Sequence, residues 1–255
     1  METEHLGLNR TGIQMSPFDS KAMQELEPQT AVTDGRQAGY DARAPYYTEG
    51  DALGSVPVPG TIKGMMTTGM TVLKGENPQL LLDKLGERLA VERSGTRLYD
   101  ALIAKCRAKL QGSDISMTLA ELEHIRDEEH HHMQLVADAI ESLGGDPTTQ
   151  TPCADVAGVE TLGLMQVISD PRTTVAQSLH AVLVGELTDN AGWEQLVALC
   201  DAQGLDELVD QFAAALETER EHLAMVKTWL DECVGLSYGD VELDAEENRG
   251  AAPLA

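Results

Sequence analysis

Glu92, Glu129, Glu186 and Glu219 each interrupt an otherwise apolar helical stripe, and no other feature of the sequence narrows the fold so far. In the first of four long helical segments, Leu85, Leu89, Tyr99, Ile103 and Cys106 recur at the three- and four-residue spacing of one buried face, with Glu92 and Thr96 inside it. The third segment repeats the pattern with Leu179, Leu183, Trp193, Val197 and Cys200, broken by Glu186. In both, an aromatic residue follows the glutamate seven places on. The second segment turns Leu122, Ile125, Val136, Ile140 and Leu143 inward together with Glu129 and His132. The fourth does the same with Phe212, Leu216, Leu223, Val226 and Leu230, and with Glu219 and His222. Each Glu-x-x-His pair puts two side chains side by side on one helical surface, where both reach a common point.

A lone glutamate at the edge of an apolar stripe is ordinarily a side chain snorkelling to water. Six such residues in the order Glu, Glu-x-x-His, Glu, Glu-x-x-His, each on its own helix's apolar face, are instead the pattern of a carboxylate bundle. Buried carboxylates each cost several kcal/mol of desolvation before their mutual repulsion is counted, so something must neutralise them. Two divalent cations match four carboxylates in charge, and oxygen ligands completed by imidazole suit iron or manganese. Protonation is the competing remedy. A second Glu-x-x-His, Glu128 with His131, projects beside Glu121 and His124 and reads as solvated.

Helix ends are written in the sequence. Asn77-Pro78 opens the first helix, and Thr118-Leu119-Ala120-Glu121 reads as a capping box for the second, which stops at Gly144-Gly145. Asp170-Pro171 is expected to open the third, Gly204 to stop it, and the fourth to run from about Leu205 to Val234. Short loops at Gly112 and Gly204 make each pair an antiparallel hairpin. The connection from Gly145 to Asp170 is long enough to cross the bundle, with one short helix expected near Thr161 to Ile168. The expected class is all-α: an antiparallel four-helix bundle over residues 77–236 with a long crossover between its second and third helices. Residues 1–76 read as an irregular extension with one short helix near Thr61 to Leu73, and residues 237–255 as an acidic solvated tail.

Composition removes several classes of partner. A formal charge of −25 argues against nucleic acid or anionic membrane as a partner. No stretch reaches the apolar length of a membrane span, and the acidic start lacks the apolar run of a secretory signal. Cys106, Cys153, Cys200 and Cys233 are scattered without a Cys-x-x-Cys pair, as expected of free thiols in a reducing cytoplasm.

With these residues in place, the chain resembles the ferritin-like superfamily of di-iron carboxylate proteins, which includes bacterioferritins and rubrerythrins. The resemblance covers about residues 78–235, and its most specific parts are the six-residue order and the stretch from Glu129 to Pro147. It implies a site for two iron ions, with manganese or a mixed pair as the alternative. Glu129 and Glu219 would bridge the ions, Glu92 and Glu186 would cap one each, and His132 and His222 would give each a nitrogen. Tyr99 and Asp189 would orient these ligands. The function implied is activation of dioxygen or peroxide by an oxidoreductase or ferroxidase, with iron storage or a metal-stabilised scaffold as alternatives. Metal ions and dioxygen or peroxide are the expected partners, and a homodimer is compatible with the reading. The chain has no rubredoxin-like module, so the rubrerythrin electron path is not implied.

Overall fold

The computed structural model describes residues 21, 35–57, 78–110 and 115–236. The described residues fall into two units, divided after Ala52. The first contributes helix α1 (Gly35–Glu49), within the stretch read as irregular. It carries no apolar stripe, which is why periodicity passes over it. Its side chains bond within the helix instead, Gln37 Nε2 donating to Asp41 Oδ1 at 2.9 Å and Thr48 Oγ1 to the Ala44 carbonyl at 3.0 Å. The short helix expected near Thr61 to Leu73, the cap at Asn77 and the tail after residue 236 lie outside the described residues.

The second unit holds α2 (Pro78–Lys109), α3 (Leu119–Ser142), α4 (Pro152–Ser169), α5 (Val175–Ala202) and α6 (Asp206–Cys233). Among the described residues no strand forms. Thr118 caps α3 with the full reciprocal box, its hydroxyl accepting from Glu121 N–H while the Glu121 carboxylate accepts from Thr118 N–H. Gly144 (φ 83°) and Gly204 (φ 66°) end α3 and α5 in the left-handed region, where a side chain would be strained.

Two expectations need correction. The crossover is a full helix of 18 residues, capped by Thr151, rather than a short one near Thr161. Asp170 does not open α5 but closes α4: its N–H bonds the Gln166 carbonyl and its carboxylate holds Arg172. Thr174 caps α5 instead, in a second box with Gln177. The buried Lys105 of α2 fixes this turn by donating to the Asp170 carbonyl at 3.1 Å, to Ser178 Oγ at 2.8 Å and to Thr173 Oγ1.

Two apolar clusters fill the bundle. One joins the N-terminal half of α2 (Leu81, Leu85) to the C-terminal halves of α3 and α5 (Ile140, Leu196) and to the start of α6 (Phe212). The other joins the C-terminal half of α2 (Leu102, Cys106) to the starts of α3 and α5 (Leu122, Leu179) and the end of α6 (Val226). The hairpins α2–α3 and α5–α6 are therefore antiparallel, while α3 and α5 run parallel. Only a crossing connection permits that, and α4 supplies it, packing along α2 and against α5. Between the two clusters lies one polar layer.

Candidate metal centre

That layer contains all six residues singled out by helical register. Glu92, Glu129, His132, Glu186, Glu219 and His222 are each at most 4% exposed. Their ligand atoms fall into two sets, Glu92 with His132 and Glu219, and Glu186 with Glu129, His222 and Glu219, the atoms within each set lying within 4.8 Å of one another. Glu219 belongs to both because its two oxygens point in two directions: Oε1 lies 2.5 Å from His132 Nδ1 and Oε2 lies 3.3 Å from His222 Nδ1. Glu129 joins the second set alone, its Oε1 3.5 Å from His222 Nδ1.

Each terminal carboxylate is tethered by one oxygen only. Arg88 Nη1 donates to Glu92 Oε1 at 3.4 Å, and the Tyr99 hydroxyl donates to Glu186 Oε1. The other oxygen of each, Glu92 Oε2 and Glu186 Oε2, is buried without a hydrogen-bond partner among the described residues. Asp189 does not touch the carboxylates itself; it pairs with Arg88 and acts on Glu92 through it. Asn190 ties α5 to α6 behind the layer, donating at 3.0 Å to the backbone carbonyls of both Glu186 and Glu219.

Protons distribute unevenly across this layer. Burial, reinforced by Glu129 and Glu219, holds the carboxyls of Glu92 and Glu186 well above the ordinary range, and burial with Glu219 raises Glu129. Burial also opposes ionisation of Glu219, but the hydrogen bonds of His132 and His222 outweigh it and hold that carboxyl at about 2. His222 would be lowered by burial, yet Glu129 and Glu219 push it up to about 12. Without metal, the layer is one histidinium–carboxylate pair among acids that favour their neutral form.

Residues 117–235 match the family described as a ferritin-like domain. Comparison with curated proteins and with solved structures gives no match. This stretch of the chain is a ferritin-like domain. The matched part of the ferritin-like domain spans α3 to α6; α2, which brings Glu92, Arg88 and Tyr99 to the same layer, precedes it.

Three features of this ferritin-like site went unread in the sequence. Glu128 is not simply solvated: its Oε2 lies 2.9 Å from His222 Nε2, so the ring is held with Nδ1 facing the layer. Arg88, only 2% exposed, lies one helical turn before Glu92, a spacing that reads as an ordinary exposed charge unless its place on the stripe is weighed. Two helical glycines make room for these groups. A Cβ at Gly95 would strike the Glu129 carboxylate, and one at Gly192 would strike the Arg88 guanidinium. A glycine inside a long helix costs about 1 kcal/mol relative to alanine, so an interior glycine is itself a signal of close approach.

Proposed function

We propose that the polar layer is a dinuclear metal centre, most simply di-iron, serving an oxidoreductase or ferroxidase reaction with dioxygen or peroxide. The observation that carries this reading is the pair of unpartnered oxygens, Glu92 Oε2 and Glu186 Oε2, one in each set, with Glu219 facing both sets. Orphaned buried carboxylate oxygens are costly, and a divalent cation beside each removes the cost. Two such ions balance four carboxylates in charge, with Arg88 and Asp189 compensating each other. The donor set of oxygens and imidazole nitrogens, without thiolate, suits iron or manganese.

When bound, a ferrous pair supplies electrons to an oxidant. The protein's own part is positional. Glu92 and His132 would hold one ion, Glu186, Glu129 and His222 the other, and Glu219 would span them. Arg88 and Tyr99 fix the rotation of the two terminal carboxylates, and Glu128 fixes that of the His222 ring. The apolar clusters on either side exclude water from the layer. Among the described residues no helix is long and apolar enough to cross a membrane, and the four cysteines are free, which supports a reducing, cytoplasmic setting.

Anaerobic addition of Fe(II) followed by air tests the reading. An oxo-bridged ferric absorption band saturating at two irons per chain is the expected result. A protein that takes up iron only at its acidic surface, with no such band, would refute it.

A further inference from the structure

Two larger cavities, of about 540 Å³ and 430 Å³, lie at the ends of the bundle, away from the carboxylates. A third, of about 30 Å³, opens directly on the polar layer beneath the crossover helix. Its floor is Glu129 and Glu186; its walls are Leu98 of α2, Leu164 of α4, Val182 of α5 and the bare Cα atoms of Gly95 and Gly185. We propose that this cavity binds a small apolar molecule of the size of dioxygen, seated against the Glu186 and Glu129 side of the centre. The proposal rests on the dinuclear reading for its use, but not for its existence.

Three observations support the assignment. The first is size: the space suffices for a molecule of one to three heavy atoms and for nothing with the bulk of a metabolite. The second is chemistry. The polar lining groups are already engaged: the Tyr99 hydroxyl with Glu186, the Thr161 hydroxyl with the Ala157 carbonyl and Asp189 with Arg88. Beyond these and the two glutamates the walls are hydrocarbon, which favours an apolar guest over a hydrated ion. The third is asymmetry. The Glu92 and His132 side is closed by Trp193, which packs edge-on to His132 at 5.5 Å and to Phe212 at 5.3 Å, with Arg88 over its ring at 5.8 Å. A guest that must touch the centre therefore meets the Glu186 side.

Gly185 is the residue that keeps the space open. A Cβ there would sit 3.7 Å from Leu164 Cδ1 and 4.0 Å from Leu98 Cδ1, ordinary contact distances, so a side chain fits and takes up the cavity. The position is helical, where alanine is favoured over glycine, so Gly185→Ala does not threaten the fold and Gly185→Val fills the space further. Gly95, by contrast, cannot be used, because its substitution would displace Glu129.

The test uses the metal-free full chain under xenon, with ¹³C-labelled methyl groups read by NMR. Saturable xenon shifts at Leu98, Leu164 and Val182 are expected, reduced in Gly185→Ala and absent in Gly185→Val. Absence of shifts at these methyls in the wild type would overturn the site while leaving the metal reading intact. With Fe(II) loaded, Gly185→Val should bind two irons per chain as the wild type does and react with dioxygen at least tenfold more slowly. An unchanged rate in a variant that still binds both irons would overturn the cavity's role. Failure of the wild type to bind metal would sink the dinuclear reading, and the xenon result would still decide the cavity.

Discussion

The two halves of the polar layer carry the same carboxylate and imidazole side chains in different surroundings. Around Glu92 and His132 the helices close with bulky groups: Arg88, paired to Asp189, lies over the Trp193 ring, and Trp193 packs edge-on to His132 and to Phe212. Around Glu186 and His222 the supporting groups are a phenol and a carboxylate, and glycines at 95 and 185 leave a gap under α4. One half is closed by an ion pair and aromatic rings, and the other leaves the small cavity proposed above as the seat of a guest. The difference shows that a symmetric order of ligands along the chain does not imply a symmetric site, because the environment of each ligand comes from a different neighbouring helix.

The largest effect is expected at the residue common to both halves. Glu219→Ala removes the carboxylate that faces both histidines and should abolish binding of both ions, whereas Glu186→Ala should leave one ion in the Glu92 half; metal content per chain after desalting distinguishes them. Loss of a single ion from Glu219→Ala would mean that the halves do not share it.

Next in size is the closed half. Arg88→Met strands Asp189 and the tethered oxygen of Glu92 in an apolar interior, and should destabilise the protein by about 3–5 kcal/mol in urea denaturation, the usual penalty for breaking a buried ion pair. Retention of wild-type stability would show that the arginine is not needed there.

Proton linkage separates the layer with metal from the layer without it. Glu92 and Glu186 have raised carboxyls in the fold, so between the ordinary 4.5 and the raised value the folded chain holds more protons than the unfolded one, and stability falls as pH rises. His222, raised from 6.5 to about 12, adds the same trend above pH 6.5. Glu219, lowered from 4.5 to about 2, acts oppositely, adding stability as pH rises through that lower window. The metal-free protein should therefore melt highest near pH 4.5, lose stability as pH rises from there and lose it more steeply above pH 6.5, while the loaded protein should not show that decline, because bound cations take the place of the protons. Parallel melting curves with and without metal across this range would contradict the linkage.

The smallest effect belongs to the open half. Glu128→Gln keeps the shape but weakens the hold on His222 Nε2, and should lower metal affinity about 10–100-fold with little change in folding stability. Equal losses at both ions would erase the distinction between the halves.

How much of this was legible depends on the range of the interaction. Register along a helix is local, so the facing of Glu92, Glu129, His132, Glu186, Glu219 and His222 could be read from the stripe each interrupts, and the Thr118 box from four consecutive residues. Packing between helices is not local. Glu128 appears exposed on its own helix because its partner, His222, is 94 residues away. The start of α5 is hidden for a similar reason: Asp170-Pro171 has the chemistry of a helix start, but Lys105, 65 residues earlier, takes the Asp170 carbonyl in the turn that the segment forms. The full length of α4 is hard to read because Val156, Val159, Leu162 and Val167 are exposed on it, so apolar residues lie all around the helix and blur its period.

The dinuclear reading requires two cations within the carboxylate layer, one on each side of Glu219. Anomalous diffraction from crystals of the full chain, collected above and below the iron and manganese absorption edges, tests it most directly. Two peaks are expected, one beside Glu92 and His132 and one beside Glu186 and His222, both within bonding distance of the Glu219 carboxylate. A layer free of anomalous density in crystals grown with both metals, or a single ion bound elsewhere on the acidic surface, would contradict the account.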